Sequence, residues 1–160
     1  MLKSVWTALE DWSFSQQMVD EPFWFPALET LHVGALTILV GSMIFVDLRL
    51  MGLAGMRETM RGHLRILTVA WAAFIVAAVS GALMFAPAAV RYAGNSAFQW
   101  KMLALVLAGL NMLAFHAGPW RRIAEWDAES VPARAKIAGA ISLALWIAVV
   151  ILGRYVPFTQ

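Results

Sequence analysis

Four long apolar runs, separated by short stretches that collect the charge and the turn residues, dominate the pattern along this chain. A helix that crosses the hydrocarbon of a bilayer needs about 20 mostly apolar residues. Runs of that kind cover residues 25–50, 64–86, 98–117 and 137–153. Helix-breaking residues bound them: Pro22 and Pro26 lead into the first, and Gly52 and Gly55 follow it. Pro87, Gly94 and Asn95 lie after the second, Gly118 and Pro119 close the third, and Pro157 ends the fourth. The expected fold is all-α, an integral membrane four-helix bundle forming a single membrane domain over residues 1–160. Ahead of it, residues 4–18 predict a short amphipathic interfacial helix with Val5, Trp6, Leu9, Trp12 and Phe14 on the lipid surface. An irregular arm packed on the bundle is the alternative. Glu10, Asp11, Asp20 and Glu21 interrupt this stretch, so no cleavable signal peptide is expected.

Composition strengthens the membrane assignment. The chain is 61% hydrophobic and 14% charged, where a soluble domain is about half apolar and a quarter charged. A chain of 160 residues cannot build a core large enough to hide that excess, so lipid must take it. The absence of cysteine excludes disulfides, iron–sulfur clusters, thiolate zinc and c-type haem attachment. Non-covalent haem, quinone and a histidine–carboxylate metal site stay open. The net charge of +2 is unevenly placed. Arg49, Arg57, Arg61 and Arg65 surround the first connection, and Arg121, Arg122, Arg134 and Lys136 the third. The opposite side has only Lys3, Arg91, Lys101 and Arg154. Such asymmetry predicts orientation rather than nucleic-acid binding: a bacterial inner (cytoplasmic) membrane protein, arginine-rich connections inside, both termini outside. No hydrolase triad, P-loop or dinucleotide fingerprint is present.

Ionisable groups within a span cost about 2.5–3.5 kcal/mol on insertion scales, so each calls for a partner or a purpose. His63 opens the second span and His116 closes the third, on the same predicted side. Two neutral imidazoles from facing helices are the usual axial pair for haem b, with Arg61, Arg65 or Arg121 available to its propionates. If the second span stops near Pro87, the two histidines differ in depth by about 6 Å; if it runs to Tyr92, by about 15 Å. Steps of seven lead from His63 to Ala70 and Ala77 and from His116 to Gly109, small residues that suit a porphyrin plane. Met112 is a substitute ligand. The alternative is that His63 is interfacial, beside Arg61 and Arg65, among lipid headgroups. On the other side, Glu29 and His32 share a face of the first span, and Lys101 enters the third span at the same level. These three predict an outward polar site for a quinone headgroup, a haem propionate or a simple Glu29–Lys101 ion pair. Asp47 and Arg49 read as a local charge pair. Asn111 reads as an interhelical hydrogen bond worth about 0.6–2 kcal/mol.

The segments "FPALETLHVGALTILVGSMIFVDLRLMG" and "FQWKMLALVLAGLNMLAFH" carry a resemblance. The first is similar to the opening span of a broad set of small bacterial membrane proteins. The second resembles the W-x-K-L…H span of HemJ-type protoporphyrinogen oxidase and of CopD-like copper-resistance proteins. Trp100, Lys101 and His116 match that span, and His32 matches the first-span histidine. The whole chain also resembles an uncharacterised family of four-span bacterial membrane proteins. The resemblance implies a four-helix membrane bundle that binds haem b. Where HemJ-type proteins carry another histidine at the end of the first span, this chain reads Leu50, Met51, Gly52. His63 as the replacement ligand is an inference from this chain, not a carried-over motif.

Three functions follow as expectations. The first is a b-type cytochrome-like protein with one haem b on His63 and His116, transferring electrons between quinone and a redox partner protein or a second copy. The second is a HemJ-like porphyrinogen-oxidising enzyme. The third is a non-catalytic membrane scaffold or metal-handling subunit without haem.

Overall fold

A computed structural model describes residues 2–53, 64–126 and 131–159. His63 and Arg61 lie outside the described residues. The described chain is helical throughout, with no strand among the described residues. Short helices α1 (Leu2–Glu10) and α2 (Ser13–Asp20) precede the long α3 (Trp24–Met51). Then come α4 (Leu64–Phe85), the six-residue α5 (Ala89–Gly94), α6 (Ser96–Ala117), the four-residue α7 (Ile123–Trp126) and α8 (Ala133–Tyr155). Helices α3, α4, α6 and α8 underlie four segments long and apolar enough to cross a membrane. The longest, α3, has 28 residues, about 42 Å at 1.5 Å per residue, against a hydrocarbon thickness of about 30 Å. Large apolar side chains such as Ile38, Trp71, Ile75, Val106 and Ile147 stand on the outer surface. In water they would form patches far beyond what a monomer tolerates; in a bilayer they meet their natural solvent.

The predicted elements are present, with two differences. The leading segment forms two helices rather than one. Ser15 donates to the Leu9 carbonyl at 2.7 Å and the Gln16 side chain to the Glu10 carbonyl at 2.8 Å, so free acceptors at the end of α1 are satisfied as the chain turns. The fourth helix begins at Ala133, four residues before the apolar run, because Pro132 makes a compatible N-terminal flank. After Phe85 the chain leaves α4 in a 3₁₀ turn over Ala86–Ala88, and the extended-side geometry of Ala88 (φ −141°, ψ 39°) separates it from α5. Helix α4 thus ends at Phe85, close to the expected bound at residue 86, while the apolar segment long enough to span continues to Gly94.

Packing joins α3 to α4, α3 to α8 and α8 to α6. The bundle is thus two antiparallel hairpins, α3–α4 and α6–α8, held together along α3 and α8. Small residues set the spacing. Ala70, Ala73, Ala77 and Ser80, a row on one face of α4, are buried. A buried row Ala135, Gly139, Ser142, Trp146, Val149 runs down α8. At Gly139 an added Cβ would lie 3.0 Å from both the Asp47 carbonyl oxygen and Leu50 Cβ, so α3 and α8 are at their closest there. Gly52 ends α3 with φ 77°, a left-handed conformation that glycine adopts without strain.

Both ends of the bundle are closed. At the end that carries both chain termini, Asn95 caps α6 through the Phe98 N–H (2.9 Å) and donates to the Val156 carbonyl (3.0 Å), tying α6 to the end of α8. The rings of Trp6, Phe85, Tyr92 and Phe98 cluster beside it, with centroids 5.3–6.1 Å apart. At the arginine-rich end, Ile123 and Trp126 pack beneath Val46, Leu50 and Ala135, and the Trp126 indole donates to the Pro119 carbonyl at 2.9 Å.

The α3–α8 approach yields a prediction. Gly139→Val inserts two methyl groups and a Cβ into a 3.0 Å gap, and overpacking of this kind costs about 1–3 kcal/mol. Gly34 has nothing within 4 Å of an added Cβ, so Gly34→Ala gains up to about 1 kcal/mol of helix propensity. Thermal unfolding in detergent is expected to show opposite signs for the two variants.

Candidate functional site

The interior polar group nearest the terminal end is built from His32 on α3. This residue belongs to the α3 face that also buries Ala35 and Leu39, and it meets α4 at Ser80 and Gly81. His32 Nδ1 lies 3.0 Å from Ser80 Oγ. The Ser80 hydroxyl has one hydrogen, and it points to the Val76 carbonyl at 2.6 Å, with Ala77 O a longer second acceptor at 3.2 Å. Ser80 Oγ therefore accepts from His32, and Nδ1 carries the proton. In the neutral ring Nε2 is then left with its lone pair, a fixed tautomer of the kind used by metal-ligating and proton-accepting histidines. The ring is seated against Gly81, where an added Cβ would come within 2.9 Å of His32 Cε1.

Lys101 approaches from the other hairpin. It sits in the second turn of α6 and lies alongside α8, its Nζ 3.6 Å from where a Gly153 Cβ would be. No carboxylate forms an ion pair with Lys101 among the described residues. The site thus offers an imidazole lone pair from one hairpin and an ammonium donor from the other, in a region walled by apolar helices.

Among the expected site residues, His32 lies against Ser80 and Gly81 of α4, and Lys101 lies beside Gly153 of α8. Glu29 is exposed and makes no ion pair with Lys101. Sequence reasoning passed over Ser80, although it is the one hydroxyl between Val69 and Phe85, directly beside a glycine.

His116 is exposed near the end of α6, its ring 5.6 Å from Phe115 and 5.5 Å from Trp120. Its Nδ1 donates to the Met112 carbonyl at 2.9 Å, which leaves Nε2 free. Arg65 and Arg121 are exposed at the same end. Of the expected haem pair, His116 falls among the described residues and His63 lies outside them. Helices α4 and α6 are not packed along one another as consecutive spans were expected to be. Ala70 and Ala73 pack in one cluster with Leu36, Leu39, Val40 and Met43 of α3, Trp146 of α8 and Leu105 of α6. Close packing of α3 and α4 is what those small residues serve.

Two other polar residues of the spans are also placed. Asn111 Nδ2 donates to the Ala138 carbonyl at 2.9 Å, the expected bond between helices. Asp47 does not pair with Arg49, because residues two apart leave a helix in different directions. Its carboxyl, 1% exposed, meets Ser142 on α8, and Oδ2 has no hydrogen-bond partner among the described residues.

The tautomer assignment is testable by ¹⁵N NMR of histidine-labelled protein. His32 is expected to give the resonances of a single Nδ1-protonated ring, Ser80→Ala to give mixed tautomers, and Gly81→Ala to shift the ring through the 2.9 Å contact. Comparison of the chain with protein-family models, with curated proteins and with solved structures finds no match.

Proposed function

We propose that the chain is a multi-pass protein of a bacterial cytoplasmic membrane that binds the headgroup of a lipophilic quinone between its two hairpins and serves electron transfer. The observation that carries this reading is the His32 ring held against Ser80 and Gly81 in one hairpin, with Lys101 in the other hairpin beside Gly153. A quinone presents carbonyl acceptors, and the Lys101 ammonium is a donor. A quinol presents hydroxyl donors, and His32 Nε2 is an acceptor. One site with both characters can hold either form and exchange a proton with it. The location also supports a lipid-soluble ligand, since apolar helices surround the site and quinones reside in the bilayer. The charge asymmetry of the connections supports an orientation with this site in the outer half of the membrane.

A charge-assisted hydrogen bond in such surroundings contributes about 1.5–3 kcal/mol, or roughly 10- to 100-fold in affinity. Lys101→Met is expected to weaken binding of a short-chain quinone in nanodiscs by that factor, and His32→Ala to weaken binding of the corresponding quinol. Glu29→Gln, at an exposed position with no ion pair to Lys101 among the described residues, is expected to bind as the unaltered chain does. Equal affinity in all four proteins, with helical content intact by circular dichroism, would remove the proposal.

A second reading retains haem b, with His116 as one axial ligand. It is supported by the free Nε2 of His116, whose other nitrogen is held by the Met112 carbonyl. The iron's other ligand would come from outside the described residues. On this reading the purified protein has a Soret band that His116→Ala abolishes and His32→Ala preserves.

A further inference from the structure

We propose that a crevice at the terminal end of the bundle is a binding site for one zwitterionic phospholipid headgroup of the phosphoethanolamine type. The crevice encloses about 490 Å³ between α1 and α2 on one side and the end of α4 and α5 on the other, within the range of formed ligand sites. It does not depend on the quinone reading, and its charged groups belong to neither the His32 site nor the His116 region.

Two opposite charges line this crevice without pairing. Glu10 Oε1 accepts the Val90 N–H at 2.9 Å, which holds the carboxylate at the rim. Its second oxygen takes no hydrogen bond among the described residues. Arg91 follows Val90 directly, but its guanidinium lies over the Tyr92 ring at 5.2 Å. No ion pair joins Arg91 to Glu10 among the described residues, although both face the same space. Each charge is held by a different contact, so the two remain separated acceptor and donor groups. A ligand that carries an ammonium and a phosphate satisfies both, with the ammonium on Glu10 and the phosphate on Arg91.

The rest of the crevice fits the remainder of such a lipid. Its apolar lining includes Met18, Phe25 and Met84, two of them flexible thioethers that adapt to irregular apolar partners. It opens where four apolar helices end, at the level expected for headgroups. The walls are preformed: the aromatic cluster of Trp6, Phe85, Tyr92 and Phe98 fixes α1, α4, α5 and α6 to one another. A simple anion site would not place a carboxylate beside its cation, and a neutral lipid would leave both charges unmet.

The test is lipid retention by the full chain. The protein is incubated in detergent with equimolar phosphatidylethanolamine, phosphatidylglycerol and diacylglycerol, and bound lipid is counted by native mass spectrometry. Phosphatidylethanolamine is expected to be retained about tenfold over each of the others. Glu10→Gln keeps an amide oxygen for the Val90 N–H but loses the charge, so it is expected to abolish the preference over phosphatidylglycerol. Arg91→Gln is expected to lose both phospholipids. Met84→Trp fills the floor without touching either charge and is expected to reduce retention at least fivefold. Equal retention of the three lipids by the unaltered chain, a preference for phosphatidylglycerol, or unchanged selectivity in the folded variants would overturn the proposal.

Discussion

The close approach of α3 and α8 at Gly139 is the constraint on which the rest of the molecule depends. Each hairpin of the bundle, α3–α4 and α6–α8, is local in sequence and antiparallel by necessity. Nothing comparable forces one hairpin onto the other. With lipid as solvent there is no hydrophobic drive for helices to associate, so contact must come from tight packing and polar groups that need partners. Gly139 lets the backbones meet at van der Waals distance, and Asp47 and Ser142 meet at the same level. The site near the other end is assembled by the same docking: His32 and Ser80 belong to one hairpin, Lys101 and Gly153 to the other.

This arrangement explains how the chemistry is distributed. Within the α3–α4 hairpin, alanines bring the helices close, and the one serine in that row, Ser80, faces a histidine. The serine is itself anchored to its own helix, which turns an adaptable hydroxyl into a fixed acceptor. The ammonium of Lys101 arrives from the second hairpin with no carboxylate to neutralise it among the described residues. At the arginine-rich end, by contrast, the polar groups are spread outward: Arg65, Arg121 and His116 are exposed. An interior site and an interfacial belt thus occupy opposite ends of one bundle.

The sequence made the spans legible because a 20-residue apolar run has few meanings in a chain this short. Asn111 was legible for a related reason: an amide in mid-span must bond to something, and the next helix is what it reaches. The order of packing was not legible. In a soluble bundle the buried face is apolar and the outer face polar, so periodicity reveals which side meets a neighbour. Here lipid-facing Ile75 and protein-facing Leu39 are chemically alike, and nothing in the pattern says that α6 lies against α8 rather than α4. Nor does spacing say that Ala70 and Ala73 of α4 meet Leu36 and Leu39 of α3 together with Leu105 of α6. Glu29 and His32 share a face by spacing alone, yet Glu29 is exposed while His32 is half-buried against Ser80.

Among the described residues α4 and α6 share no extended seam, which bears on how any hydrophobic ligand would be met. A molecule dissolved in the bilayer reaches that flank by sideways diffusion, without crossing water. Its chemical potential at the protein is then set by partitioning, so a modest intrinsic affinity is enough to fill a cavity that would stand vacant if supply came only from the aqueous phase.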